Sequence, residues 1–241
     1  RSCGWIDDTV LTSPVKHLAI HSLPLESQQS NHEVSFSIHT DNLVKNAVLL
    51  IDNLDSFTYN IAHDICGLGH HVNIVSGRKH SHHSAQELLE ELQPSHVVLG
   101  PGPGWPQDSP LTMDFAKQAL EGNTPPLLGI CLGHQAICLA DGSNLTRSPN
   151  GPVHGSPVSV ENDGTGLFSE LAEEHSMMRY NSLVILDVGE SMVPNAWEGG
   201  TGLIMGARHR YYPIHGVQFH PESAGSPDGM AIIENFLSLC D

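Results

Sequence analysis

The stretch LLGICLGHQAI, residues 127–137, contains the pattern that decides the fold. An apolar run typical of a buried strand leads into Cys131, which lies between Gly129 and Gly133, and a helical pattern follows at once. This is the cysteine form of the nucleophile elbow, a tight strand-to-helix turn that presents one side chain. The start of a helix favours a negatively charged thiolate. The pattern alone also fits a buried, inert cysteine in a turn.

The residues around this stretch predict strands that alternate with helices. Apolar strand-like runs occur at 47–52, 71–75, 96–100 and 125–130, and helical patterns at 57–68, 84–93 and 111–120. Such alternation predicts an α/β domain with an open, mostly parallel, flavodoxin-like sheet and helices on both faces. After about residue 152, short strand-like runs dominate until a final helical segment at 230–240. We therefore expect a strand-rich second half.

Composition excludes several classes of function. The chain has 241 residues, enough for one large domain, with 10 basic and 27 acidic side chains and a formal net charge of −17. This balance argues against nucleic acid or an anionic membrane surface as the main partner. No run approaches the roughly 18 apolar residues of a membrane span. The 5 cysteines lack the spacing of a disulfide framework, so we expect free thiols in a reducing, cytoplasmic compartment.

The chain divides near residue 45. Residues 1–45 are polar and show little periodicity, except that Val34, Phe36 and Ile38 alternate as in one half-buried strand. This N-terminal extension fits a linker, an added edge strand or the tail of an upstream domain. Because the sequence begins with Arg1, we expect a processed form or a fragment of a longer chain. The regular pattern, and with it the predicted functional domain, spans residues 46–241.

A cysteine nucleophile needs a base, and the base needs a group that orients it. The segment FHPES supplies His220 and Glu222, which lie two residues apart on an extended segment and so point to the same side. Taken alone, this pair also fits a surface loop. Ligands of parallel sheets bind at the carboxyl ends of strands, and both this segment and the elbow follow predicted strands. The sequence therefore predicts a Cys–His–Glu triad.

The loop GPGPG, residues 100–104, follows another predicted strand. Its prolines fix the backbone, and its glycines allow close approach to a ligand, so its N–H groups could stabilise an oxyanion. An ordinary Pro/Gly turn is the alternative, and a phosphate-binding loop is excluded because no G-K-[ST] follows. The run RKHSHH carries His80, His82 and His83, but no fixed ligand geometry is implied. We predict no metal site.

Five segments of the chain resemble class I, triad-type glutamine amidotransferases. They occur in the order LLIDNLDSFTYN, GPGPG, GICLGHQAI, RYNSL and GVQFHPES, and the resemblance covers residues 46–241. The chain is most similar to the subunit or domain that serves chorismate-using synthases, namely anthranilate synthase component II and its para-aminobenzoate counterpart.

The resemblance implies a role for each matched residue. Cys131 would be the nucleophile, His220 the base and Glu222 its partner. L-Glutamine would be bound by Gly102, Pro103, Gly104, Gln135, Ser182 and Leu183. Two positions depart from the family pattern, since Asn181 replaces a usual His and Ala224 a usual Ile. At Asn181 we expect a glutamine site that is modified but still functional. At Ala224 we expect an altered contact with the synthase.

The resemblance also implies the reaction and the partner. Ammonia released from glutamine would pass to a chorismate-binding synthase, present as a separate subunit or a fused domain. This chain would need no cofactor, and Mg²⁺ is expected only in the partner synthase. The run RHRYYPIHGVQFHPES favours anthranilate as the product, with aminodeoxychorismate as the alternative. An elbow-type cysteine hydrolase would leave GPGPG and RYNSL unexplained, and a non-catalytic regulatory subunit would not need an intact triad.

Overall fold

The computed structural model describes residues 44–78 and 83–240. The strand expected around Val34, Phe36 and Ile38 lies outside these ranges, as do His80 and His82. The elements run in the order β1 (Val48–Asp52), α1 (Thr58–Gly67), β2 (Val72–Ser76), α2 (Ala85–Leu92), β3 (His96–Leu99), α3 (Pro110–Leu120), β4 (Leu127–Ile130), α4 (Leu132–Ala140), β5 (Leu145–Arg147), β6 (Ser156–Asn162), β7 (Glu174–Arg179), β8 (Leu183–Ile185), β9 (Met192–Glu198), β10 (Ile204–His209), β11 (Ile214–Val217) and α5 (Gly229–Leu237).

The main sheet has nine strands in the order β2-β1-β3-β4-β11-β10-β9-β6-β7. The first five strands pair in parallel, and the antiparallel pairs follow from β11 onward. The predicted α/β fold with a mostly parallel sheet and a strand-rich second half is confirmed. Register pairs Leu99 with Gly129, and Gly129 with Gly216, so β3, β4 and β11 end at the same edge. The loops that carry the predicted site therefore leave the sheet side by side.

Helices cover both faces of the parallel strands, as predicted. Side chains alternate along β1, so that Leu50 packs into one core and Leu49 into the other. The first core contains apolar residues of α1 and α5, and the second contains those of α2, α3 and α4. In the described part of the chain, the longest α-helix has 11 residues, and no helix is long and apolar enough to cross a membrane.

Three strands of the second half were missed by the sequence patterns. They are β5, β7 and β9. In β7 the residues alternate between buried and exposed, but the buried positions include His175 and Arg179, which hydropathy does not mark as core. In β9, Pro194 lies within the strand, where a missing N–H normally argues against a sheet. Buried polar residues therefore hid β7, and the proline hid β9.

The elbow depends on close packing of backbone against backbone. A Cβ added at Gly133 would overlap the carbonyl oxygen of Leu99, at the end of β3. We predict that Gly133→Ala lowers the free energy of unfolding by about 3 kcal/mol, because a buried carbonyl must shift. Urea denaturation checks the change. Gly67→Ala is the matched control, since nothing lies within 4 Å of its added Cβ, and it should not destabilise the protein. Equal stability of the two variants would contradict this packing.

Two histidines are buried in the core without charge. Burial lowers the pKa of His134 to about 4. Burial, reinforced by Arg208, lowers the pKa of His215 to about 4 as well. In the unfolded chain a histidine gains its proton below about pH 6.5, so the unfolded state binds more protons between pH 6.5 and 4. The free energy of unfolding is therefore unaffected by these two histidines at neutral pH, and it decreases as the pH falls below about 6.5.

We predict that His215→Gln makes stability less dependent on pH. The free energy of unfolding of the wild type decreases between pH 7 and pH 5. In the variant, which lacks one buried histidine, this decrease should be smaller by roughly 2 kcal/mol. Urea denaturation of both proteins at the two pH values measures this difference, in which the contributions of all other groups cancel. An unchanged difference between the two pH values would show that His215 does not titrate as described.

Candidate active site

Cys131 is the single residue between β4 and α4. Its backbone has φ 49° and ψ −99°, a conformation that costs a non-glycine residue about 1–3 kcal/mol. Two hydrogen bonds hold it there. Its N–H donates to the Val217 carbonyl at 2.8 Å, and its own carbonyl accepts from the Gln135 N–H at 3.0 Å. The elbow predicted from the sequence is thus present, with Cys131 buried at the start of a helix.

The two glycines of the elbow are required by contact. A Cβ at Gly129 would lie 2.5 Å from the carbonyl carbon of Gly133, while Gly133 itself packs on Leu99. The turn is therefore pressed against the end of β3, from which the GPGPG loop departs. This packing brings the elbow and the predicted oxyanion loop to one place.

His220 and Glu222 form a buried pair just beyond β11. His220 Nδ1 lies 2.7 Å from Glu222 Oε1, and the two side chains are 2% and 0% exposed. The backbone around His220 is fixed from both sides, because its N–H donates to the Met178 carbonyl at 2.9 Å and its carbonyl accepts from the Ser226 hydroxyl at 2.7 Å. The imidazole and the carboxylate are thus held next to each other, as the spacing in FHPES predicted; that they act as base and partner stays a prediction.

The surroundings of His220 favour its charged form. Burial lowers the pKa of this imidazole, but Cys131 and Glu222 outweigh burial and hold the pKa well above its ordinary value. Nε2, the ring nitrogen that does not face Glu222, is buried. Phe57 and Tyr180 pack against the ring edge-on, with centroids 5.8 and 5.0 Å away. The surroundings of the ring therefore favour a protonated imidazole at His220.

The GPGPG loop rests on side chains of other segments, Asn53 and Arg78. A Cβ at Gly102 would lie 2.6 Å from Asn53 Cβ, so the loop packs directly on Asn53. The Asn53 amide donates to the Gly100 carbonyl at 2.9 Å and accepts from the Thr112 hydroxyl at 2.8 Å. Arg78 Nη2 donates to the Pro103 carbonyl. Asn53 lies inside LLIDNLDSFTYN, one of the five segments that resemble the family, and this position could have indicated its role.

The predicted glutamine contacts from the other segments also converge. Gln135, buried on α4, donates from Nε2 to the Leu183 carbonyl at 3.1 Å. The neighbouring Ser182 carbonyl accepts from the Ser148 N–H at 2.8 Å. Gln218, missed by sequence reasoning although it lies in GVQFHPES, places Nε2 3.6 Å from Cys131 Sγ. That Gln135, Ser182 and Leu183 bind glutamine stays a prediction.

The fold and this site define an α/β protein with a buried cysteine, histidine and glutamate at the carboxyl ends of parallel strands. The family model Glutamine amidotransferase class-I matches residues 49–240. The chain belongs to the class I glutamine amidotransferase family, as the sequence motifs predicted.

Similar proteins agree with this membership. Anthranilate synthase component 2 of Thermus thermophilus is 39% identical over 192 residues, which cover 79% of this chain and 91% of that protein. Aminodeoxychorismate synthase of Streptomyces griseus is 37% identical over 203 residues, covering 80% of this chain but only 26% of that longer protein. A solved glutamine amidotransferase from Thermotoga maritima is similar in fold, with a TM-score of 0.57 at 20% identity over 75% of this chain and 77% of that chain.

We predict that Glu222→Gln reduces glutamine hydrolysis by about 10²–10⁴-fold. The neutral amide no longer supports the imidazolium, so the pKa of His220 falls. Release of glutamate, measured across a range of pH, checks the change, and circular dichroism shows whether the fold persists. Glu234→Gln on the exposed side of α5 is the matched control and should keep full activity. Activity of Glu222→Gln within twofold of the wild type would contradict the role of the pair.

Proposed function

We propose that this chain hydrolyses L-glutamine through Cys131, His220 and Glu222 and delivers the ammonia to a chorismate-aminating synthase, with anthranilate as the product. One observation carries the proposal: a buried His220–Glu222 pair accompanies a strained cysteine in a member of the amidotransferase family. The domain spans residues 46–241, preceded by the extension at 1–45. A reactive thiol suits a reducing compartment such as the cytoplasm.

The first half of the reaction transfers the glutamyl group to the enzyme. The Cys131 thiolate attacks the carbonyl carbon of the side-chain amide, and the carbonyl electron pair moves to oxygen. The first N–H groups of a helix have no intrahelical acceptor, so those after Cys131 can stabilise this oxyanion together with the GPGPG backbone. The C–N bond then breaks, and nitrogen takes the proton from His220 Nε2 and leaves as ammonia.

The second half regenerates the thiolate. His220, now neutral, accepts a proton from water at Nε2 as the water oxygen attacks the glutamyl thioester. Collapse of this second intermediate breaks the C–S bond and releases glutamic acid, which gives its proton to solvent. Cys131 returns as the thiolate beside a protonated His220. No step requires a metal or an organic cofactor in this chain.

The relatives support the choice of partner. This chain covers 91% of the Thermus thermophilus anthranilate synthase component 2, which supports anthranilate as the product and a separate synthase subunit as one arrangement. The Streptomyces griseus aminodeoxychorismate synthase keeps aminodeoxychorismate as the second candidate product and a fused synthase as the second arrangement. Ammonia is captured as ammonium in bulk water, so transfer to the synthase through a protein interior preserves the nucleophile.

We predict that Cys131→Ala abolishes glutamine-dependent amination of chorismate in the complex with the synthase. Amination with added ammonium salt should stay within twofold of the wild type, because only the glutamine reaction uses the thiolate. Product analysis by liquid chromatography gives both rates and distinguishes anthranilate from aminodeoxychorismate.

The control is Cys240→Ala, since Cys240 is exposed and should be dispensable. Glutamine-dependent amination retained by Cys131→Ala would refute the assignment. Cleavage of simple esters by the wild type without glutamine hydrolysis would favour an elbow-type hydrolase instead.

A further inference from the structure

A line of buried hydrogen bonds connects Arg179 to the sulfur of Cys131. Arg179 Nε lies 3.1 Å from Asn181 Oδ1, and Asn181 Nδ2 lies 2.7 Å from the Leu183 carbonyl oxygen. Gln135 Nε2 contacts the same oxygen at 3.1 Å and Gln218 Oε1 at 3.0 Å. Gln218 Nε2 then reaches Cys131 Sγ at 3.6 Å. We call this set the amide relay, composed of Arg179, Asn181, the Leu183 carbonyl, Gln135 and Gln218.

The direction of the first hydrogen bonds is fixed by chemistry. A guanidinium group can only donate, and a backbone carbonyl can only accept. Asn181 lies between these two groups, so its oxygen must face Arg179 and its NH₂ must face the Leu183 carbonyl. A histidine at this position could meet the same two demands with its two ring nitrogens. The departure of Asn181 from the family pattern therefore preserves the polarity of the relay.

The Leu183 carbonyl imposes an orientation on Gln135 as well, and Gln135 in turn on Gln218. Gln135 must donate to the Leu183 carbonyl, so its NH₂ group occupies this side, and its second N–H reaches Gln218 Oε1. Gln218 accepts there with its oxygen and can offer only its NH₂ group to Cys131. The sulfur of the elbow therefore faces a donor whose orientation is set by the Leu183 carbonyl, which can only accept.

Burial makes this orientation costly to reverse. Arg179, Asn181, Gln135 and Gln218 are each less than 5% exposed. Water cannot replace a lost partner at such positions, and hydrogen bonds are electrostatically stronger in a medium of low dielectric constant. Glu198 pairs with Arg179 Nη1 and balances its charge. The relay is thus a fixed part of the interior.

We propose that Gln218 is a catalytic residue whose side-chain N–H stabilises the thiolate of Cys131. Gln135 is a positioning residue that keeps this donor aimed at the sulfur. Asn181, oriented by Arg179, is a positioning residue that holds the Leu183 carbonyl to which Gln135 donates. The N–H of Gln218 stabilises the thiolate in the free enzyme and again when the C–S bond of the thioester breaks. Its role in turnover rests on the proposed glutamine hydrolysis, whereas its effect on the sulfur does not. Both N–H groups of Gln135 are used within the relay, so only Gln135 Oε1 remains to accept a hydrogen bond from glutamine.

The test measures the reactivity of Cys131 without glutamine. Iodoacetamide alkylation is followed from pH 5 to 9, with the peptide that carries Cys131 quantified by mass spectrometry. In Gln218→Glu a carboxylate replaces the donor, so the rate at pH 7 should fall about tenfold and the midpoint of the pH profile should rise by about one unit. Gln218→Met, without donor or charge, should give a smaller shift in the same direction.

Two matched comparisons separate the donor from a structural effect. Gln86→Glu adds the same charge on the exposed side of α2 and should leave the profile unchanged. Asn181→His keeps both hydrogen bonds of the relay and should resemble the wild type, whereas Asn181→Leu should resemble Gln218→Met. Thermal unfolding identifies any variant that fails to fold, and the remaining variants still decide the proposal.

An unchanged midpoint in both Gln218→Met and Asn181→Leu would overturn the proposal. A fall in rate that is equal at every pH would overturn it as well, because it would indicate only lost access to the sulfur. A shifted midpoint accompanied by a loss of glutamine turnover supports it. If the wild type alkylates with the predicted profile but hydrolyses no glutamine in the complex, the proposed function fails while the sulfur contact stands.

Discussion

The strained backbone of Cys131 is the constraint on which the rest of the site depends. At φ 49° the residue turns the chain from β4 into α4 within a single position. This turn is stable only because two glycines allow backbone to touch backbone, and because the neighbouring strand β11 accepts the Cys131 N–H through Val217. The same parallel pairing that supports the elbow also delivers His220, since the chain continues from β11 directly into the FHPES segment.

The site also depends on charged side chains that are buried away from water, namely His220 and Glu222. A carboxylate and an imidazolium would each be costly to bury alone, but Glu222 and His220 balance one another's charge as a close pair. Glu222 and Cys131 reverse the effect of burial on the pKa of His220. The amide relay adds a neutral donor to the sulfur without adding a further charge.

The sequence made the elbow, the parallel half of the sheet and the order of the site segments predictable. These features follow from local rules: apolar runs mark buried strands, and paired glycines mark a tight turn. Strands β7 and β9 were not predictable in this way, because their buried positions include polar groups that find partners far along the chain. Arg179 satisfies its charge on Glu198, 19 residues away, and only the folded structure brings the two together. Gln218 was visible inside a recognised motif, but its contact with Cys131, 87 residues earlier, was not.

The most direct test of the central claim is to detect the covalent intermediate on Cys131. The wild-type complex is quenched with acid during turnover of glutamine, and its peptides are analysed by mass spectrometry. We expect a glutamyl thioester on the peptide that contains Cys131, which disappears when glutamine is exhausted. Rapid release of glutamate with no adduct on Cys131, or with an adduct on another cysteine, would contradict the account.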